Sequence, residues 1–257
     1  MPVLRVTGDD GSLRAVVFGY ACHNTTLPPA FVEYHGDYAG VAQAALEKRH
    51  PGVVAMFVAG CGADANPLPR GTLELVQAHG VALADAVDRS LEAATPVAPP
   101  LRAAYGTVDL PFASADVRKR WRAKLGIDER YLRRYDAMMK AMADREGRLP
   151  AAQPAPVQVW RFGPDPRAGS TPSDLTLIAI GGEVVVDYAI RLAGEYPTRR
   201  IWAAGYSNDV FGYLPSRRVR LEGGYEGADA MVYYGRPGPF AENVEELIIG
   251  QIRRLAG

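Results

Sequence analysis

The chain has 257 residues with 29 basic and 29 acidic side chains, so its formal net charge is zero, and 48% of its residues are apolar. This balance is typical of an ordinary globular protein and excludes a disordered chain, which would contain fewer apolar residues and more net charge. It also argues against a nucleic-acid-binding protein that works through an overall basic field. A chain of this length can bury a large core, and a single α/β domain of this size is common.

The sequence shows no signal for insertion into a membrane or for export. It contains no run of about 18 consecutive apolar residues, so it predicts no transmembrane helix. Residues 1–11 lack a basic region and an apolar stretch, so they do not resemble a signal peptide, and we expect the chain as given to be cytoplasmic. Its two cysteines, Cys22 and Cys61, are too few for a disulfide framework and show no zinc-binding spacing.

The first part of the chain predicts alternating strands and helices. Two strands flank a turn at 8–11 and are followed by a helix, a short apolar strand buried on both faces, and a second helix. Asp37 is the predicted N-cap of the first helix and Thr72 that of the second. The predicted ranges are 3–6 and 13–20 for the hairpin, 38–49 for the first helix, 53–59 for the buried strand, and 72–94 for the second helix.

The second part predicts further strands around a segment of different character. A long charged helical region is followed by a stretch rich in Pro and Gly, and we interpret about 112–173 as a variable insertion or lid. The other predicted elements are strands at 101–110, 157–162, 175–180 and 200–204 and helices at 117–148, 184–192 and 241–255. The sequence therefore predicts a single α/β domain with a mixed β-sheet core, flanking helices and a helical, Pro-rich insertion.

Polar side chains follow several predicted strands at the point where each strand ends. Ligands of open α/β sheets bind where strands end and loops begin, so these positions are candidates for a site. The positions are His23 with Thr25 and Thr26, Asp64 with Asn66, Glu183, and the segment 207–213.

Two of these candidates, and one neighbouring thiol, have alternative interpretations. His23 is either a zinc ligand or a hydrogen-bonded structural histidine. Cys61 lies in a Gly-flanked turn that could expose a nucleophile, although a small buried thiol is the favoured interpretation. Glu183 follows a buried strand, where an unpaired carboxylate is costly, so a cation or metal is its expected partner. Asp187 either joins Glu183 or faces solvent.

Five short motifs occur in one order along most of the chain. That order resembles the N-terminal catalytic domain of neutral/alkaline ceramidases and their bacterial relatives. The motifs lie at 18–27, 57–67, 181–183, 205–213 and 225–228. The resemblance implies a ceramidase-like catalytic domain over 1–257, present in part, and a hydrolase of lipid metabolism that acts on a sphingolipid or related N-acyl amide.

The resemblance also implies the residues of a zinc site. The family's zinc is held by two His, a Glu and a Tyr, of which His23, Glu183 and Tyr213 match the second His, the Glu and the Tyr. Neutral imidazole and carboxylate suit zinc, which polarises an amide carbonyl. Tyr213, Asp64 and Asn66 are implied as catalytic residues. Thr25 and Asn208 are candidates to bind substrate. Arg70 is a third candidate, which either binds a carboxylate or head group or is a solvated loop cation.

Two departures from the family pattern qualify this expectation. The family's first His lies well upstream of the motif that contains His23, so one zinc ligand is missing unless His35 replaces it. The simplest interpretation is that an N-terminal segment is absent, in which case the protein would be secreted or periplasmic. In addition, Asn66 stands where the family has its catalytic Ser, and an amide cannot serve as that hydroxyl, although it could donate a hydrogen bond to an oxyanion.

Three hypotheses therefore remain from the sequence. The first is a zinc-dependent hydrolase of an amide bond, with a small-molecule or lipid-like amide as substrate and no nucleic-acid partner. The second is a non-catalytic protein of the same fold that binds a ligand or partner. The third, which ranks last, is a thiol hydrolase with Cys61 as nucleophile and His23 as base.

Overall fold

The computed structural model describes residues 1–163 and 175–257, and its contacts divide the chain into two compact units. The first unit is Met1–Val97 and the second is Ala98–Gly257. Both combine strands with flanking helices, and the sheets contain antiparallel and parallel pairs. The predicted α/β class with mixed sheets is confirmed. The predicted single domain consists of these two units. Among the described residues, no helix is both long and apolar enough to cross a membrane.

The first unit packs two helices on one face of a three-stranded sheet. Its elements are β1 (Val3–Thr7), β2 (Leu13–Tyr20), α1 (Asp37–Arg49), β3 (Val54–Ala59) and α2 (Leu73–Glu92). Strand β2 is central, antiparallel to β1 and parallel to β3. The alternate residues Val16 and Phe18 of β2 are fully buried against apolar residues of both helices, including Leu46 and Val87. Full burial of each such side chain stabilises the fold by about 1.5–3 kcal/mol.

Two predictions for the first unit were wrong in detail. Strand β3 is not buried on both faces, because the two helices cover only one face of the sheet, and Val54 and Met56 are 54% and 43% exposed. Asp37 is not the N-cap of α1, since the cap is Gly36, and Asp37 is the first helical residue with a φ of 49°. Its buried carboxylate accepts the backbone N–H of Leu27 at 3.0 Å, which ties the preceding loop to the helix. Thr72 caps α2 as predicted.

The second unit is built on a four-stranded sheet with a small second sheet beside it. The larger sheet has the order β4 (Leu101–Pro111), β5 (Ala152–Phe162), β6 (Leu175–Ile180) and β8 (Arg200–Ala204), and β7 (Glu183–Val184) pairs in parallel with β9 (Tyr213–Leu214). The helices are α3 (Ala115–Arg122), α4 (Glu129–Glu146), α5 (Val186–Glu195), α6 (Arg217–Glu222), α7 (Gly224–Gly227) and α8 (Val244–Ala256), with a 3₁₀ helix at Asp229–Val232.

The second unit also differs from the prediction at three places. The helix predicted at 184–192 begins only at Val186, because Glu183 and Val184 pair with β9. The helical region 117–148 forms two helices, α3 and α4. Strand β5 lies inside the predicted insertion 112–173, yet it is an inner strand of the sheet, so only part of that segment stands apart from the sheet. Residues 164–174 of the segment lie outside the described residues, and the predicted domain limits stay a prediction.

Candidate active site

In the first unit, the loops that follow β2 and β3 are joined by hydrogen bonds around His23. The backbone N–H of His23 donates to the carbonyl of Ala65 at 2.9 Å. The side-chain Nε2 lies 2.8 Å from the carbonyl oxygen of Ala63. A carbonyl oxygen only accepts, so Nε2 carries the proton and donates this hydrogen bond. His35, the suggested replacement ligand, uses its Nδ1 to accept the N–H of Asp37 at 2.9 Å.

Three of the predicted site residues meet in the same unit. The Oδ1 atom of Asn66 accepts the hydroxyl of Thr25 at 3.0 Å and the Nη1 group of Arg70 at 3.2 Å. A guanidinium only donates, so its contact fixes which end of the Asn66 amide is the oxygen. The Nδ2 group of Asn66 is then the donor that this side chain offers to a ligand.

Cys61 does not have the environment of a nucleophile. Its side chain is 1% exposed, and burial, followed by the charge of Asp64, raises the pKa of its thiol to about 12. The thiolate is the reactive form, and it is nearly absent at neutral pH under these conditions. The buried-thiol interpretation is confirmed, and this environment does not favour the thiol-hydrolase hypothesis.

In the second unit, β7 positions the carboxylate of Glu183. The residue before it, Gly182, has a φ of 84°, and its N–H donates to the carbonyl of Asp209 at 2.8 Å. The side chain of Glu183 is 7% exposed. Its Oε2 accepts the hydroxyl of Tyr206 at 2.9 Å, and its Oε1 accepts the hydroxyl of Tyr234. The sequence predicted a cation or metal as its partner, whereas these two partners are neutral phenols.

Further tyrosine rings surround these groups. The ring of Tyr213, which faces Glu183 across the β7–β9 pair, lies 6.3 Å from that of Tyr234 and 5.2 Å from that of Tyr225, centroid to centroid. We call Glu183 and these aromatic residues the Glu183 cluster; its members are Glu183, Tyr206, Tyr213, Tyr225 and Tyr234. The sequence analysis singled out Glu183 and Tyr213 but did not identify the other tyrosines as neighbours of Glu183. The sequence contained evidence for these partners, because a buried carboxylate at a strand end requires hydrogen-bond donors and the following segment is rich in Tyr.

The tyrosines of the Glu183 cluster remain protonated well beyond neutral pH. Burial, together with the nearby charge of Glu183, raises the pKa of all four hydroxyls above the ordinary value of 10. A hydrogen bond to Glu183 adds to this effect at Tyr206, Tyr213 and Tyr234. These hydroxyls are therefore hydrogen-bond donors over the whole physiological range.

We expect an alkaline titration followed at 295 nm to show these raised pKa values. Part of the 13 tyrosines should stay protonated in the folded protein at pH 11, whereas all should ionise near pH 10 in guanidinium chloride. Above pH 10 the unfolded chain binds fewer protons than the folded one, so the free energy of unfolding should fall as pH rises. Identical titration curves for the folded and unfolded protein would contradict these environments.

Two other predicted residues lie outside these hydrogen bonds. Asn208 is exposed, and its amide donates to the side chain of Gln158 at 3.4 Å. Asp187 does not join Glu183, since it accepts from Ser216 at 2.5 Å and pairs with Arg218 at 3.0 Å. The hydrogen bond from Arg218 lowers the pKa of the Asp187 carboxyl.

The zinc ion implied by the resemblance requires suitable donor atoms close together. His23 belongs to the first unit, and Glu183 and Tyr213 belong to the second. Across residues 1–163 and 175–257, no group of three or more His, Cys, Asp or Glu side chains could hold a metal ion. The donors around Glu183 are protonated phenols, which are not the imidazole, thiolate or carboxylate groups that zinc prefers. Among these described residues, neither unit by itself therefore contains a donor set that fits zinc.

The mixed sheets and flanking helices define an α/β fold that is shared with solved ceramidases. One is the neutral ceramidase from Pseudomonas aeruginosa, with a TM-score of 0.63 and 17% identity over 98% of this chain and 46% of that chain. Another is a ceramidase complexed with C2, with a TM-score of 0.62 and 14% identity over 98% of this chain and 48% of that chain. This chain thus spans about half the length of these ceramidases.

These comparisons confirm the expected ceramidase-like fold. At identities this low, they show a shared fold and nothing finer. No family model and no curated protein matches the sequence.

Proposed function

We propose that this chain is a hydrolase of amide bonds whose substrate is a small-molecule or lipid-like N-acyl amide. The observation that carries the proposal is the buried carboxylate of Glu183, which accepts the hydroxyls of Tyr206 and Tyr234. The fold shared with ceramidases supports the same class of reaction. Packing alone does not require a buried carboxylate, which is costly to desolvate unless it is fully hydrogen-bonded.

Amide hydrolysis needs an acceptor for the proton of the attacking water and donors for the oxyanion that forms. In this proposal Glu183 accepts the proton of the water as its oxygen attacks the carbonyl carbon. The hydroxyl of Tyr213, which stays protonated and is hydrogen-bonded to Glu183, turns from the carboxylate to donate to the developing oxyanion, while Tyr206 and Tyr234 orient the carboxylate. The C–N bond then breaks, and Glu183 returns the proton to the leaving amine.

The residues of the first unit enter the proposal through the resemblance. Asn66 stands where ceramidases have a catalytic Ser, and its amide cannot form an acyl-enzyme, so water is the proposed nucleophile. The Nδ2 group of Asn66 is a hydrogen-bond donor, and Thr25 and Arg70 hold the amide in that orientation. Asp64, His23 and Asn208 are carried over as site residues on the resemblance alone.

Zinc dependence belongs to this proposal as an expectation. A zinc ion would polarise the amide carbonyl, although no step above depends on it. Elemental mass spectrometry of the purified, unchelated protein measures its metal content and so tests whether it binds zinc. Near-stoichiometric zinc that is lost in His23→Ala or in Glu183→Gln would identify the changed residue as a ligand, and a folded, metal-free protein that turns over amides would remove zinc from the proposal.

The proposal is tested by hydrolysis of N-acyl amides that share a lauroyl chain, with release of laurate measured by mass spectrometry. Turnover by the wild-type protein is measured with and without added zinc. We expect turnover in at least one of these two conditions. A well-folded protein that hydrolyses none of these amides in either condition would overturn the proposal.

A second candidate function is a non-catalytic protein that binds an amide or lipid-like ligand. Asn66 in place of the family's Ser favours it, because that difference removes the catalytic hydroxyl that the resemblance implies. Saturable binding of N-lauroylethanolamine without release of laurate would support this function over hydrolysis.

A further inference from the structure

The second unit contains a cavity of about 240 Å³ between α4 and the end of the 3₁₀ helix. Its walls are mostly aromatic and apolar, with one cationic group. The residues that matter for the inference are Tyr131, Arg134, Tyr135, Met138, Tyr233 and Tyr234. The cavity is smaller than the roughly 300–1,000 Å³ typical of pockets that hold a whole drug-sized ligand, so it suits one part of a substrate.

Tyr234 connects this cavity to the Glu183 cluster. It lines the cavity, and its hydroxyl donates to the Oε1 atom of Glu183. The neighbouring Tyr233 also lines the cavity, and its ring lies 5.4 Å from that of Tyr131 and 6.0 Å from that of Tyr225. The cavity and the Glu183 cluster therefore share Tyr234 and are linked by contacts between tyrosine rings.

The wall formed by α4 is held in place by its own small core. Tyr135 is 5% exposed and packs with Met139 and Val232. Its hydroxyl donates to the carbonyl of Arg236 at 2.8 Å. From α3, Trp121 packs against Tyr135 at 6.3 Å between ring centroids. The cavity is thus a preformed feature of this unit.

Arg134 differs from the other arginines of α4. Arg130, Arg133 and Arg145 pair with Asp128, Glu129 and Glu146 at 3.0, 3.2 and 2.8 Å, respectively. For Arg134 no ion pair is found within the described part of the chain, although its side chain lines the cavity. A guanidinium beside aromatic walls is suited to bind a carboxylate or phosphate through paired hydrogen bonds.

We propose that the substrate of the Glu183 cluster is an N-acyl amide whose amine half carries an anionic group, and that Arg134 binds this group in the cavity. This inference rests on the proposed function, because it names the substrate class of that site. The small volume admits the amine half and excludes a long acyl chain. A carboxylate, as in an N-acyl amino acid, and a phosphate, as in an N-acyl phosphoethanolamine, share the required chemistry.

Three amides with the same acyl chain test the substrate class: N-lauroylglycine, N-lauroylphosphoethanolamine and neutral N-lauroylethanolamine. We expect kcat/KM of the wild type to be at least about 10-fold higher for one or both anionic amides than for the neutral one. Arg134→Ala should remove this preference, Arg134→Lys should retain part of it, and the better anionic substrate identifies carboxylate or phosphate. Equal kcat/KM values for all three amides, unchanged in Arg134→Ala, would overturn the inference and leave the proposed function standing.

Arg133→Ala is the matched control, since Arg133 is an exposed neighbour on the same helix that pairs with Glu129 and does not line the cavity. It should leave the anionic preference unchanged, and thermal unfolding should be the same for both alanine variants.

A substrate-independent measurement uses calorimetric binding of phenylacetate, phenyl phosphate and 2-phenylethanol. We expect Arg134→Ala to weaken binding of an anionic probe at least about 10-fold and not that of the alcohol. If the protein binds the anionic probe in this way but hydrolyses no amide, the proposed function and the substrate class are rejected, while the anion-binding role of Arg134 is supported. If the wild type binds no anion, that role of Arg134 is rejected.

Discussion

We expect Glu183→Gln to lower kcat for amide hydrolysis by about 10³-fold, within the range seen when a general base is removed. Gln has nearly the same shape as Glu, so the packing around β7 should persist. The amide of Gln cannot accept a proton from water at neutral pH. Its NH₂ group would also face one of the two phenol hydroxyls that donate to Oε2 and Oε1 of Glu183 in the wild type. The measurement is kcat and KM on the best N-lauroyl amide, with thermal unfolding as the test of folding.

Glu222→Gln is the matched control for this variant. Glu222 is an exposed carboxylate of the same unit that pairs with Arg218 at 2.9 Å, and exposed pairs of this kind contribute little to stability. We expect its kcat to be unchanged. A Glu183→Gln protein that is folded and keeps more than about a tenth of the wild-type kcat would show that this carboxylate is not the general base.

The largest effect on stability is expected for Gly62→Ala in the first unit. A Cβ atom at Gly62 would lie 2.2 Å from the carbonyl carbon of Ala21 and 2.3 Å from the backbone nitrogen of Cys22. These are main-chain atoms of the segment that leads into His23, and they cannot rotate away as a side chain can. We expect the free energy of unfolding, measured with urea, to fall by about 3 kcal/mol.

Gly40→Ala provides the comparison, because Gly40 lies within α1 and a Cβ atom there meets no heavy atom within 4 Å. Ala is favoured over Gly in a helix, so this variant should gain up to about 1 kcal/mol. If Gly62→Ala unfolded at the same urea concentration as the wild type, the close approach of the two loops would not exist in solution.

Local patterns were sufficient to predict much of the fold. The hairpin of β1 and β2, the cap at Thr72 and strand β6 follow from turn residues, a capping hydroxyl and an apolar run, all of which act over a few residues. The missed features depend on distant partners. Val184 is in a strand because it pairs with Leu214, and β3 is exposed on one face because the helices of its unit cover only the other.

The same distinction applies to the candidate site. The sequence analysis named Thr25, Asn66 and Arg70, which the structure joins by hydrogen bonds in the first unit, and Glu183 and Tyr213, which face each other in the second. Their roles in a site stay predictions. Tyr206 and Tyr234 were not predicted as partners of Glu183. They lie 23 and 51 residues from it along the chain, so no spacing rule for a helix or strand relates them.

The pairing of β7 with β9 has a consequence for how the activity would be acquired during folding. Each strand has only two residues, and so short a parallel pair has no stability of its own. Glu183 reaches its place only when Gly182 and Gly212 have met the backbone of neighbouring segments, through the hydrogen bonds from Gly182 to Asp209 and from Glu183 to Gly212. A chain that has formed its helices but not these contacts holds a solvated carboxylate with no phenols around it. The proposed hydrolysis would therefore depend on these contacts, and a chain that lacks them would not carry it out.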